Sequence, residues 1–208
     1  EDRAFRRVTH LGIGAHQDDL EIMAFHGIEA CYGSPDRWFG AVTCTNGAGS
    51  PRSGAYASFT DEAMAAVRRR EQVKAAVVGD YGVLVQLNYT SPEVKETAAG
   101  PLRSDLVQVL RATRPEVVYT HNPADKHDTH LAVVFTALAA LRELAPDERP
   151  ETVYGCEVWR GLDWMDDADK VALDVGRRET LSMALVGVYD SQVEGGKRYD
   201  LATAGRRR

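Results

Sequence analysis

Three of the six histidines fall within ten residues, in His121-Asn122-Pro123-Ala124-Asp125-Lys126-His127-Asp128-Thr129-His130. His127 and His130 stand three apart, so on the first turn of a helix they share a face. A second group, His16-Gln17-Asp18-Asp19, sets His16 and Asp19 three apart as well. Across a strand-to-helix turn those two side chains can converge on one point. Neutral imidazole and carboxylate are common ligands of a borderline divalent ion, zinc above all. For the aspartates the plainer reading is a helix cap. A histidine pair at a helix start has no such structural use. Taken together, the two groups are what a mononuclear zinc site with three protein ligands requires.

Such residues need a scaffold that brings two distant segments together. Short β-branched runs alternate with helical stretches, which predicts an α/β fold with a mostly parallel sheet. Strands are expected at Val8–Gly14, Trp38–Thr45, Tyr81–Asn88, Val117–Thr120, Thr152–Trp159 and Val171–Asp174. Helices are expected at Asp19–Tyr32, Asp61–Val78, Pro101–Arg114, Thr129–Leu144 and Arg177–Val188. Both His/Asp groups then lie at the carboxyl ends of strands, where open α/β sheets place their sites. Two long loops are expected, Asn46–Phe59 and Gly161–Asp169.

Gly12-Ile13-Gly14 opens like a dinucleotide fingerprint, but Gln17 stands where the third small residue belongs. Asp18 and Asp19 would repel a pyrophosphate there, so that reading is rejected. The 208 residues carry 25 basic and 31 acidic groups, a formal net charge of −6. Nucleic acid is therefore not an expected partner, although Arg68-Arg69-Arg70 and Arg206-Arg207-Arg208 are candidate local anion sites. No apolar run approaches the roughly 18 residues of a membrane span. Cys31, Cys44 and Cys156 are too few and too scattered for a disulfide framework, and read as core thiols in a reducing compartment. The expectation is one cytoplasmic domain, with homo-oligomerisation left open.

The A-H-x-D-D and H-x-x-H segments resemble the PIG-L/LmbE-like de-N-acetylases, of the bacillithiol and mycothiol pathway type. The resemblance runs from about Val8 to Arg206. It takes in Thr45-Asn46-Gly47, the Arg-rich helix containing Glu71, Asp190-Ser191-Gln192 and Lys197-Arg198-Tyr199-Asp200. It implies a Rossmann-like three-layer sandwich forming a single domain over residues 1–208. Relatives often continue past the position of Arg208, so a C-terminal segment is expected beyond it. The resemblance also implies Zn2+ held by His16, Asp19 and His130, with Asp18 as general base. His127 is implied to stabilise the oxyanion or protonate the leaving amine. Arg68 and Asn46 are implied at the substrate, and Arg68→Ala is expected to spare fold and metal content. His121, at the strand end, is expected at the substrate or behind the ligands. Trp159 and Trp164 are candidates for stacking on a sugar, while His10 and His26 read as structural. The chain departs from the family at Gln17, where proline is usual, and at Asp128-Thr129, where H-P-D-H becomes H-D-T-H.

The implied activity is hydrolysis of an N-acetyl group from a small N-acetylglucosamine-like conjugate. Metal chemistry suits an amide, because it supplies both a nucleophile and a place for developing negative charge. Two rivals remain at this point. Phosphoester hydrolysis commonly uses two metals, and ligands for one are found. A non-catalytic, sugar-binding member of the fold is the other.

Overall fold

The computed structural model describes residues 2–96 and 100–206. Its strands are β1 (Val8–Gly14), β2 (Trp38–Thr45), β3 (Val83–Tyr89), β4 (Val117–His121) and β5 (Thr152–Cys156). They form one sheet in the order β3-β2-β1-β4-β5, and each neighbouring pair is parallel. The described helices are α1 (Asp2–Phe5), α2 (Asp19–Met23), α3 (Phe25–Cys31), α4 (Asp61–Val78) and α5 (Ser91–Glu96). They continue as α6 (Pro101–Thr113), α7 (Asp128–Glu143), α8 (Glu179–Gly187), α9 (Asp190–Gln192) and α10 (Tyr199–Arg206).

Side chains alternate across a strand, so the sheet supplies two cores, one on each face. On one face Leu11, Ile13, Val42 and Val118 pack with Leu106 of α6 and Val133 of α7. On the other, Phe39, Ala41 and Tyr119 pack with Leu20 of α2, Ile28 of α3 and Leu185 of α8. A parallel sheet needs cover on both faces, and the result is the expected three-layer α/β sandwich. The strand order reverses between β1 and β4. Their following loops therefore part, and leave a crevice at the carboxyl ends of the two strands. Both His/Asp groups open onto that crevice.

The two glycines of Gly12-Ile13-Gly14 serve packing. A Cβ on Gly12 would lie 2.9 Å from Leu20 and from Phe39, and one on Gly14 would lie 3.1 Å from Leu20. Their absence of side chain lets α2 lie tightly on β1 and fixes where Asp18 and Asp19 emerge.

Elsewhere the elements depart from the sequence pattern. The helix expected over Asp19–Tyr32 breaks at Ala24 (φ −109°, ψ 17°) into α2 and α3. The strand expected at Val171–Asp174 does not form: Leu173 packs on the second core while Val171 stays exposed. An apolar alternation thus buries one side without a partner strand. Helix α5, the three-residue α9 and α10 were not anticipated. Cys31 and Cys44 are buried and Cys156 half-buried, all as free thiols. Among the described residues no helix is long and apolar enough to cross a membrane. Of the two arginine clusters, Arg68 is buried while Arg69 and Arg70 are exposed. Arg207 and Arg208 lie outside the described residues.

Candidate active site

His16 and Asp19 leave the end of β1, and His130 enters from the first turn of α7 after β4. His16 Nδ1 lies 3.4 Å from Asp19 Oδ2, and His130 Nε2 lies 3.6 Å from Asp19 Oδ1. The two imidazole nitrogens are 3.3 Å apart. A tetrahedral zinc with bonds of about 2.0–2.1 Å needs its donors about 3.3 Å from one another. The two imidazole nitrogens have that spacing, and each stands near it from one oxygen of Asp19. The three side chains can therefore converge on one such ion, with one donor atom of each within 4.8 Å of the others. Asp19 Oδ2 also accepts the His16 backbone N–H at 2.7 Å, which fixes the carboxylate in the turn.

Behind these three side chains stand two supports. Asp125 Oδ2 lies 2.9 Å from His130 Nδ1, which leaves the Nε2 lone pair turned toward Asp19 and His16. A carboxylate on the far nitrogen is the usual way to orient a metal-binding imidazole. Asp125 Oδ1 also accepts the His127 N–H at 2.9 Å. His121, 0% exposed, stacks under His130 with ring centroids 4.0 Å apart. Its Nε2 accepts the Ala15 N–H at 2.9 Å. His121, Asp125 and His130 also crowd together. Their donors are already engaged, however, by Ala15 and by the Asp125–His130 pair. Burial lowers the His121 pKa to about 4, so the ring is neutral. It does not line the cavity, which places it behind the cluster and away from substrate.

Adjacent aspartates meet opposite fates. Burial acts to raise the Asp19 carboxyl, but His130, His121 and His16 outweigh it and hold its pKa well below the usual value. For Asp18, burial wins and lifts the pKa to about 7, with Arg68 opposing and Asp19 adding to the rise. The backbone of Asp18 is left-handed (φ 92°, ψ −28°), a conformation costing about 1–3 kcal/mol for a residue other than glycine. It precedes α2, yet its side chain makes no capping hydrogen bond. The helix-cap reading of Asp18 is thereby overturned.

Asp18 is held instead by Arg68 of α4, whose guanidinium donates to Asp18 Oδ2 at 2.7 Å and to the Gln17 carbonyl. The same guanidinium donates to Glu71 Oε2 at 2.7 Å and to Ser191 Oγ at 3.2 Å. Ser191 in turn donates its N–H and hydroxyl to Glu71, each at 2.8 Å. Arg68 is 1% exposed and lines the cavity from behind Asp18. These pairs speak against the expectation that Arg68→Ala spares the fold, because its removal would leave two buried carboxylates without their cation. Gln17, at the family's proline position, donates to the Thr45 carbonyl at 2.9 Å and ties this turn to β2. Gly47 (φ 72°) passes so close that a Cβ there would sit 2.9 Å from Arg68 Cβ.

Over this floor lies a cavity of about 400 Å³, lined by His16, Asp18, Asp19, Arg68, His127 and His130 among others. His127 caps α7, with Nδ1 accepting the Thr129 N–H at 3.2 Å, so its neutral ring carries the proton on Nε2. Burial, then His130 and His16, lowers its pKa and favours that neutral form. Asp128 is exposed. Asn46 folds its Oδ1 back to the Ala48 N–H at 3.0 Å and is not among the lining residues. Trp159 lines the wall and packs against Tyr199 at 4.4 Å, whereas Trp164 is 49% exposed and away from the cavity. His10 and His26 lie in the second core layer, His26 Nδ1 2.8 Å from the Tyr119 hydroxyl. Asp125 was missed in sequence, although its place in the His121–His130 run was a signal. Lys95, Lys197 and Tyr199 of the wall were not singled out as site residues.

Solved structures share this fold. A conserved protein from Thermus thermophilus is 22% identical, with TM-score 0.71, covering 96% of this chain and 87% of the other. The N,N'-diacetylchitobiose deacetylase of Pyrococcus horikoshii is 19% identical, with TM-score 0.69 and coverage of 91% and 73%. A 4-carboxy-2-hydroxymuconate hydratase from Pseudomonas putida is 18% identical, with TM-score 0.70 and coverage of 96% and 85%. At these identities the likeness speaks for the fold. A comparison with curated protein sequences gave no match. Residues 11–141 match the PIG-L family, described as GlcNAc-PI de-N-acetylase, and by that match over more than half of its length the chain belongs to this family.

Proposed function

We propose that the protein is a zinc-dependent hydrolase that removes the N-acetyl group from a small N-acetylglucosamine-like conjugate. Family membership supports N-deacetylation. The observation that carries the reading is Asp18: a buried carboxylate in a left-handed turn, beside three donors spaced for one metal, with no capping duty. A hydratase among the neighbours means that the fold alone does not choose the reaction. The site must choose it.

His16, Asp19 and His130 would hold the ion, which when bound supplies a water of pKa near 7 and polarises the amide carbonyl. Asp18, with its pKa near neutrality, is suited to take the proton of the attacking water. Arg68 keeps that carboxylate aimed into the cavity. His127, carrying its proton on Nε2, donates a hydrogen bond to the developing oxyanion. Its lowered pKa makes it a neutral donor rather than an acid, so Asp18 returns its proton to the leaving amine. The products are acetate and a free amino sugar. Three free thiols accord with a cytoplasmic enzyme.

Metal analysis paired with acetate release tests this. Wild-type protein should bind about one zinc per chain and release acetate from N-acetylglucosamine conjugates, while His130→Ala should lose the metal. Stoichiometric zinc in His130→Ala overturns the ligand set, and a zinc-loaded wild type inert toward every amide probe overturns the reaction.

A further inference from the structure

Two rims of the cavity come from segments far apart in the chain. One is the loop after β2, which contributes Gly47, Gly49, Ser50 and Pro51. The other runs from α9 through a π-turn over Val193–Lys197 into α10, and contributes Gln192, Lys197 and Tyr199. The two segments touch. A Cβ on Gly195 would lie 3.9 Å from the Pro51 carbonyl oxygen, and one on Gly54 would lie 3.4 Å from that of Glu194. Beside this contact Tyr56, at the end of a single 3-10 turn over Gly54–Tyr56, donates its hydroxyl to Asp190 Oδ2 at 2.6 Å.

The two ends of that hydrogen bond are held very differently. Next to Asp190, Ser191 is fully buried and gives both its N–H and its hydroxyl to Glu71, each at 2.8 Å. Helix α9 is thus a post fixed to α4. The turn over Gly54–Tyr56 buries none of its residues. The Tyr56 ring meets Phe59 edge-on at 5.3 Å, and behind the pair lies a second cavity of about 360 Å³, bounded also by Val67 and Val188. The hydroxyl–carboxylate bond, rather than apolar packing, therefore fastens this turn. Accepting from Tyr56, Asp190 pushes the phenol pKa up to about 12, so the donor stays protonated at neutral pH.

We infer that Tyr56 and Asp190 form a clasp that holds the loop after β2 as a fixed wall of the cavity, which makes Tyr56 a positioning residue for substrate binding. The inference rests on the deacetylase reading for what is bound. A wall already in place spares the substrate the cost of ordering it. Because Glu71 secures the post independently of the loop, an open clasp leaves Asp18 and the metal ligands where they are. The clasp acts on binding and not on the chemical step.

Tyr56→Phe keeps the ring and its contact with Phe59 and removes only the hydroxyl. Asp190→Ala removes the acceptor, whereas Asp190→Asn keeps an oxygen there. Hydrogen exchange and steady-state kinetics on methyl N-acetylglucosaminide are followed on the same zinc-loaded samples. In Tyr56→Phe and Asp190→Ala the amides of residues 48–59 should exchange about three- to tenfold faster, the usual net worth of one hydrogen bond. Those of β1 and β4 should keep their rates. KM should rise by a similar factor with kcat kept, and Asp190→Asn should stay near wild type. The Tyr56→Phe/Asp190→Ala double variant should be no worse than either single one. Unchanged exchange, single effects that add in the double variant, or an Asp190→Asn as impaired as Asp190→Ala overturns the clasp. So does faster exchange with an unchanged KM, or a fall in kcat at constant KM. Faster loop exchange in variants of a protein that releases no acetate removes the deacetylase reading and leaves the clasp. Acetate release with loop exchange unchanged does the reverse.

Discussion

On the floor of the cavity each functional side chain is gripped by a buried neighbour, whereas on its wall Lys95 is exposed and Trp159 and Tyr199, packed on one another, are half-buried. Asp18 is fastened by Arg68, His130 by Asp125, and Asp19 by the His16 backbone. All three carboxylates and their partners come from turns at the ends of β1 and β4 or from helices packed against them. The wall is assembled from the loop after β2, α5, the segment after β5 and the residues at the start of α10. Chemistry needs reacting groups held to a fraction of an ångström, and burial with hydrogen bonding supplies that. Recognition of varied substrates tolerates looser, half-exposed side chains. The difference predicts that substitutions on the floor act on rate, metal and stability, and those on the wall on substrate choice.

The comparison can be broken most directly at Asp18. Asn keeps its shape, tolerates a left-handed backbone and cannot accept the proton. Asp18→Asn should keep zinc and stay folded yet lose about 10²–10⁴ in kcat, the usual worth of a positioned base. In the wild type the rate should fall toward acid as Asp18 takes up its proton. A bound cation favours the carboxylate, so that limb should lie at or below pH 7. A near-wild-type rate for Asp18→Asn with zinc bound removes this residue from the mechanism.

Arg68 tests whether the floor is held by its ion network. Arg68→Ala leaves Asp18 and Glu71 buried without their cation and should cost about 3–5 kcal/mol in urea unfolding. Arg68→Ala with unchanged stability would mean that the buried pair is replaced by water at no cost.

Next in size, Asp125→Asn should weaken zinc binding about 10–100-fold through the orientation of His130 alone. Competition with a chelator measures it, and an unchanged affinity would show that His130 is positioned by stacking on His121. The smallest effect belongs to the wall. Trp159→Ala should raise KM by no more than about tenfold, one stacking contact's worth, with zinc content and kcat kept. A collapse of kcat there would erase the distinction between wall and floor.

The chemistry at the strand ends was legible because it is local. Metal-binding residue types three apart, each group after a β-branched run, point to one site without any knowledge of packing. The α/β class followed in the same way from alternating periodicities, and the family from two short motifs. What needed the tertiary structure were partnerships between residues far apart in the chain. Arg68 read as a substrate contact on a helix face, but α4 turns it inward onto Asp18, with Ser191 some 120 residues further on completing the grip. His121 read as a candidate at the substrate or behind the ligands, and only its stack under His130, out of the cavity lining, decides for the second. For Asp18, which the family resemblance offered as a general base, the alternative of a helix cap fell only with its left-handed backbone and its side chain free of any capping hydrogen bond. Spacing along a chain decides which side chains can share a turn. Only close packing of the three layers decides which of them share a floor, because that depends on which surfaces the buried cores bring face to face.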